Sequence, residues 1–231
     1  CDGNLFDLKG KVSLIVGGGR GIGRAIAEGY RRHGSKVAVF DREFPHEFHD
    51  DIYTDIVDIG SAQQIEEGIV KFYKEFKSVD ILVNCAGITI PNKTHNYDHS
   101  DWQKTMDINL NSVFFVSKSI GNLMIKQNTG GSIINITSIG AEQGFPSNPA
   151  YCASKGGLKQ LSKAMAYDWG SFGIRVNNLV PGYTNTPMNK KSWNNPKLKE
   201  DRSNSTFLNR WAEPEEMIGP AVFLASSASS Y

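Results

Sequence analysis

The run Lys11-Val-Ser-Leu-Ile-Val16 passes directly into Gly17-Gly-Gly-Arg-Gly-Ile-Gly23 and then into the helically periodic residues 24–33. No other stretch constrains the fold as much. A short, β-branched apolar run is a buried strand, and its passage through glycines into a helix is the opening turn of a parallel α/β sheet. Glycine opens backbone conformations closed to other residues and lets a pyrophosphate approach the main chain. The helix starting near Ile22 turns unpaired N–H groups and a positive dipole end toward that phosphate. Gly17, Gly19, Arg20, Gly21, Ile22 and Gly23 are therefore the candidate phosphate cradle of a dinucleotide.

The alternation continues along the chain. Strands are expected at 35–40, 52–56, 80–87, 132–138 and 174–181. Helices are expected from Ser61 to Lys77, from Asp101 to Gln127, from Tyr151 to about Gly170 or Gly173, and from Pro214 through Leu224. Ser61 and Pro214 are N-terminal signals. With no internal repeat and no linker, the expectation is one α/β domain over residues 1–231, a doubly wound parallel sheet in a three-layer α/β/α sandwich. Ligands of such sheets bind beyond the carboxyl ends of the strands, so Gly17, Asp41, Asn84, Ser138 and Pro181 are expected to line one crevice. The polar stretch 183–207 reads as a mobile substrate lid.

Charge and composition exclude several classes. With 25 basic and 24 acidic residues, the net charge of +1 offers no nucleic-acid groove and no membrane-surface patch. The apolar runs are core-strand sized, too short to span a bilayer. Residues 1–10 contain Asp2, Asp7 and Lys9 and lack the apolar core of a signal peptide. Three cysteines (Cys1, Cys85, Cys152) without ligand spacing read as free thiols in a reducing compartment, which gives a cytoplasmic expectation. His46, His49, His95 and His99 fall in polar loops without metal-ligand spacing, so no metal is expected. The chain starts without Met and stops at Tyr231, and both ends are expected to be incomplete.

Three features carry chemistry. Tyr151 and Lys155 lie one helical turn apart, where an ammonium favours the phenolate and makes the phenol a usable acid/base. Asp41, about twenty residues past the glycines, can accept hydrogen bonds from the adenosine ribose and repels a 2′-phosphate, which favours NAD over NADP. Arg42 and Arg20 oppose that preference weakly and read as solvated surface charges. Asn109 and Asn111 interrupt a long helix, and a polar amide there costs stability unless it is satisfied, which marks a candidate for function.

In this order the motifs closely resemble the short-chain dehydrogenase/reductase family, in its single-domain branch, over nearly the whole chain. Gly17–Gly23 resembles its TGxxxGxG loop, Asn84-Cys-Ala-Gly87 its NNAG, and Tyr151-Cys-Ala-Ser-Lys155 its YxxxK. Asn109 and Ser138 fall where the family places its catalytic Asn and Ser. Pro181-Gly182 with Thr184 and Thr186 resembles the segment that holds the nicotinamide carboxamide.

The resemblance implies a Rossmann fold and an NAD(P)(H)-dependent oxidoreductase that interconverts a secondary alcohol and a ketone. It implies that Tyr151 exchanges the proton, Ser138 hydrogen-bonds the substrate oxygen, Lys155 lowers the Tyr151 pKa and binds the nicotinamide ribose, and Asn109 holds a water that relays protons from Lys155. Asp55, Ile56, Asn84, Ala86 and Gly87 complete the implied cofactor set. Gly140, Glu142, Tyr183 and Met188, with Gln143 and Trp193, are expected to shape the substrate pocket, for a sugar, polyol or cyclic diol. Lys190 and Lys191 leave open a 3-oxoacyl-carrier-protein reductase, and a non-catalytic dinucleotide sensor is the alternative of another class. A homotetramer is implied, built on the helices that start at Asp101 and Tyr151. Three departures stand out: Val16 replaces Thr, Cys85 replaces the second Asn of NNAG, and the family's closing C-terminal strand is expected to be missing.

Overall fold

The computed structural model describes residues 4–231, so Cys1 lies outside the described residues. Six strands form one parallel sheet: β1 (Val12–Val16), β2 (Lys36–Asp41), β3 (Ile52–Ile56), β4 (Ile81–Asn84), β5 (Gly131–Ile136) and β6 (Ile174–Leu179). Their order is β3-β2-β1-β4-β5-β6. The winding reverses between β1 and β4, which pair from Ser13–Ile81 to Val16–Asn84. A reversal of this kind opens a crevice above the carboxyl ends, where the two connections diverge.

Alternation along β1 explains the two cores. Val12, Leu14 and Val16 face one layer, with Phe72, Ile120 and Met124. Ile15 faces the other, with Ile26, Tyr30 and Val222. The first layer is built by α2 (Ala62–Phe76), α4 (Ser112–Gln127) and α5 (Pro149–Trp169), the second by α1 (Gly21–Arg32) and α8 (Ile218–Ala225). Ser61 caps α2 by accepting from the Gln64 N–H. Among the described residues no helix is long and apolar enough to cross a membrane, and no cluster of His, Cys, Asp or Glu could hold a metal.

Two expectations about elements need correction. The helix expected from Asp101 is three pieces: α3 (His99–Met106), a π-helical turn (Asp107–Asn111) and α4. The asparagines sit in the widened turn. The 183–207 stretch is not a loop. It folds into α6 (Lys190–Trp193) and α7 (Pro196–Asn204), the latter started by Pro196 and by Asn195 accepting from the Leu198 N–H. These helices are polar because they rest on few anchors. Trp193 packs edge-on against the buried Trp211 with ring centroids 5.4 Å apart, and Tyr183 lies 5.5 Å from Trp211.

Asn84 also departs from expectation. It is the last residue of β4, but its side chain points into the sheet–helix layer rather than the crevice. Its amide donates to Ser117 Oγ (2.9 Å) and Asn135 Oδ1 (2.8 Å); Asn135 donates to Ser162 Oγ, which reaches Asn178 Oδ1. Asn84, Asn135 and Asn178 are in register across β4, β5 and β6, so one buried polar row ties three strands to α4 and α5.

Candidate active site

A cavity of about 1200 Å³ opens over the carboxyl ends of the strands. Gly17, Arg20, Gly21, Ile22, Asp41, Arg42, Ala86, Gly87, Pro181, Gly182, Thr184 and Thr186 line it, together with Ser138, Tyr151, Lys155, Tyr183 and Met188. Gly17 has φ of +80° and lies against Ala86, so a β-carbon there would overlap the Ala86 backbone. That contact brings the glycine turn and the turn after β4 together. Gly23 likewise closes α1 onto the Gly17 carbonyl. Arg20, the residue before α1, is extended, and the first turn of α1 has no side-chain cap and no acidic residue. Gly21 and Ile22 of that uncapped turn line the cavity, which fits the pyrophosphate of a nicotinamide dinucleotide, while the Gly23 N–H is given to Cys85.

Asp41 is anchored at the rim. Its Oδ2 accepts from the Gly19 N–H at 2.8 Å and its Oδ1 from the Arg42 N–H at 2.7 Å. Gly19 therefore acts by holding Asp41 and does not itself line the cavity. Arg20 pairs with Glu43 at 2.8 Å. Arg20 and Arg42 are exposed, as read from the sequence, and both also line the cavity. Asp55 and Ile56 do not. β3 ends at Ile56, which is 69% exposed, and Asp55 turns out to Lys71 at 3.5 Å. The turn after β3 bends back over the strand ends instead, bringing Val57, Asp58, Ile59 and Gly60 to the wall.

The reacting end is held by buried polar contacts. Ser138 follows β5, and its Oγ accepts from the Gly140 N–H at 3.0 Å, which leaves the hydroxyl proton for a group in the cavity. Gly140 is thus a support for Ser138 and not a wall residue; its missing side chain makes room for Phe145. Glu142 is also off the wall, drawn into an ion pair with Lys159 on α5. Gln143 and Trp193 likewise lie outside the lining, which instead includes Thr89, Phe145, Asn148, Asn189 and Arg202. Thr89 and Asn148 are joined by a 2.8 Å hydrogen bond. These residues carry no sequence motif, and only the tertiary fold brings them to the site.

Lys155 is 4% exposed and donates to the Ile136 carbonyl at 2.7 Å. Burial brings its pKa down to about 8. Its ammonium is 5.9 Å from the centre of the Tyr151 ring. The expected lowering of the Tyr151 phenol is not what the chain alone produces. Burial pushes that phenol above its usual value, and the Ser138 hydroxyl opposes this in part. The reason is that the Tyr151 phenol is itself buried and the ammonium is turned to the Ile136 carbonyl.

Asn109 is fully buried in the π turn. Its Oδ1 accepts from the Ile88 N–H at 2.8 Å, and its Nδ2 donates to the Ile88 carbonyl at 2.9 Å and to Ser154 Oγ at 3.1 Å. Ser154 in turn donates to the Tyr151 carbonyl. Both amide protons are therefore committed inside the chain. The side chain clamps the exit of β4 to the helix that carries Tyr151. Cys85 lines the cavity beside Lys155, and burial holds its thiol at about 12, so it stays neutral.

Known proteins resemble the chain from end to end. A family model described as enoyl-(acyl carrier protein) reductase matches residues 17–231. Gluconate 5-dehydrogenase from Gluconobacter oxydans is 34% identical, over 99% of this chain and 92% of its own length. D-Threitol dehydrogenase from Mycolicibacterium smegmatis is 33% identical, over 97% and 89%. The solved gluconate 5-dehydrogenase of Burkholderia cenocepacia, in complex with NADP and tartrate, superposes with a TM-score of 0.91 at 32% identity, covering 98% of this chain and 92% of that one. A match of this breadth on this sheet order leaves one assignment: the chain belongs to the short-chain dehydrogenase/reductase family of NAD(P)-dependent oxidoreductases.

Proposed function

We propose that this chain interconverts a secondary alcohol and a ketone on a polyhydroxylated, sugar-like substrate, with NAD as the preferred dinucleotide. The observation that carries the reading is that Ser138, Tyr151 and Lys155 line the same cavity as the glycine turn. A nicotinamide dinucleotide held along the glycine turn and Asp41 would supply or accept the hydride. Tyr151 then exchanges a proton with the substrate oxygen, and Ser138 donates a hydrogen bond to that oxygen as charge develops. Lys155 provides a buried positive charge 5.9 Å from the centre of the Tyr151 ring, and Asn109 keeps α5 in place. Thr89, Asn148 and Asn189 offer hydrogen bonds suited to hydroxyl groups, in keeping with the polyhydroxylated compounds named for the relatives. The test is absorbance of the reduced dinucleotide with a panel of polyols, sugars, cyclic dihydrodiols and 3-oxoacyl thioesters; turnover of the thioesters alone overturns the reading.

NAD preference rests on Asp41. A carboxylate fixed by two backbone N–H groups accepts ribose hydroxyls but repels a 2′-phosphate, and Arg20 is already paired with Glu43. Wild-type kcat/KM is expected to favour NAD, and Asp41→Ala to move the NAD:NADP ratio about 10- to 100-fold toward NADP, the size of a removed like-charge contact. A wild type that prefers NADP contradicts this.

A homotetramer is part of the same proposal. Phe114 and Phe115 on α4 are exposed and in mutual contact, and Tyr167 on α5 is 90% exposed. Apolar surface on two neighbouring helices is what a subunit interface covers. Light scattering is expected to give four copies; a monomer overturns this.

A further inference from the structure

Two cations on the helices over the cavity, Lys191 on α6 and Arg202 on α7, line its wall. Arg202 is half-buried. Its guanidinium lies 5.1 Å over the Tyr183 ring and 5.6 Å over the Trp211 ring. Tyr183 in turn stacks on Phe145, in the loop that follows Ser138, with centroids 6.1 Å apart and planes 24° from parallel. Aromatic faces thus fix the guanidinium and leave its N–H edge unspent.

Among the described residues no acceptor meets that edge. Other ordered arginines are used differently: Arg24 donates to the His46 and Glu47 carbonyls, Arg175 to the Leu224 carbonyl and Ser229, and Arg210 to Glu216. Among the described residues the carboxylates on the cavity wall are Asp41, bonded to the glycine turn, and Asp58, in the turn after β3. Glu142 is held by Lys159, and Glu200 and Asp201, next to Arg202 in α7, are exposed and outside the lining. A rigidly placed guanidinium with a free fork and no counter-ion fits a planar carboxylate better than a hydroxyl.

We infer that Arg202, assisted by Lys191, receives a carboxylate of the substrate, so that the preferred substrate is a sugar acid rather than a neutral polyol. This rests on the function proposed above and narrows it. The test compares carboxylate and neutral partners of equal length, D-gluconate with D-glucitol and D-threonate with D-threitol, in wild type, Arg202→Met and Arg202→Lys. Wild type is expected to favour the acid in kcat/KM by about 10- to 100-fold, the worth of a hydrogen-bonded charge. Arg202→Met is expected to erase that ratio through the KM for the acid, and Arg202→Lys to restore part of it. Equal use of acid and polyol by wild type, or a fall in Arg202→Met that is the same for both, overturns the inference; the latter makes Arg202 a brace for Tyr183 and Trp211. Turnover of polyols alone leaves the proposed function standing and sinks the inference. Turnover of neither class with either dinucleotide sinks both.

Discussion

Tyr151→Phe is expected to lower kcat by about 10³-fold, within the 10²- to 10⁴-fold range of a positioned acid/base group. Binding of reduced dinucleotide, followed by fluorescence, is expected to stay within about threefold of wild type, because the substitution leaves the glycine turn and Asp41 unchanged. The substitution keeps the ring and removes only the hydroxyl, whose partner within the chain is Ser138. The melting temperature is expected to move by no more than about 2 °C, as for changes that leave packing intact. The combination matters. A loss of both turnover and dinucleotide binding points to a collapsed site, whereas a variant that keeps most of its kcat removes Tyr151 from the chemistry.

Much of the scaffold was legible because parallel strands are buried on both faces and read as short continuous apolar runs. β1, β2 and β4 carried that mark most plainly, whereas β3 and β6 are interrupted by polar residues and only partly buried, and the glycines after β1 fixed which end of the sheet is open. The errors have physical causes. Asn84 ends a strand and so reads as a crevice residue, but the parity of β4 turns it into the helix layer, where its amide N–H groups donate to Ser117 and Asn135 while its Oδ1 is buried without a partner. Asp55 and Ile56 were assigned for the same reason, and the chain instead reaches the crevice two residues later through the turn at Asp58. Glu142 read as a hydroxyl-binding group, yet Lys159, a partner seventeen residues away, takes it. The helices of 190–204 escaped notice because they bury little of themselves. They are held by Trp211, which is distant in sequence and gives no periodic signal within them. Arg202 was invisible for that reason: one arginine in a polar stretch acquires meaning only when two aromatic rings aim it.

Lys155→Met is expected to abolish turnover and yet raise the stability of the ligand-free chain at neutral pH. The ammonium is 4% exposed, its pKa is about 8, and no anion answers it: the Cys85 thiol is held at about 12 and Tyr151 is raised. The unfolded chain returns this lysine to about 10.4. Between these values the folded chain binds fewer protons than the unfolded one, so stability rises as pH climbs from about 8 to 10.4. Below pH 8 the whole penalty is present, about 3 kcal/mol for a shift of this size. Methionine fills the same volume without the charge but leaves the Ile136 carbonyl without its donor, a cost of about 1–2 kcal/mol. The net gain is about 1–2 kcal/mol at pH 7, or about 2–6 °C in Tm for a chain of this size. Chemical denaturation at pH 7, 8.5 and 10 is expected to show wild type gaining on the variant as pH rises. A variant less stable than wild type at pH 7, or a gap independent of pH, shows that the buried ammonium is no burden. With the expected result, the fold tolerates a destabilising charge at the one place where a proton must move, which is how a site under functional demand differs from an optimised core.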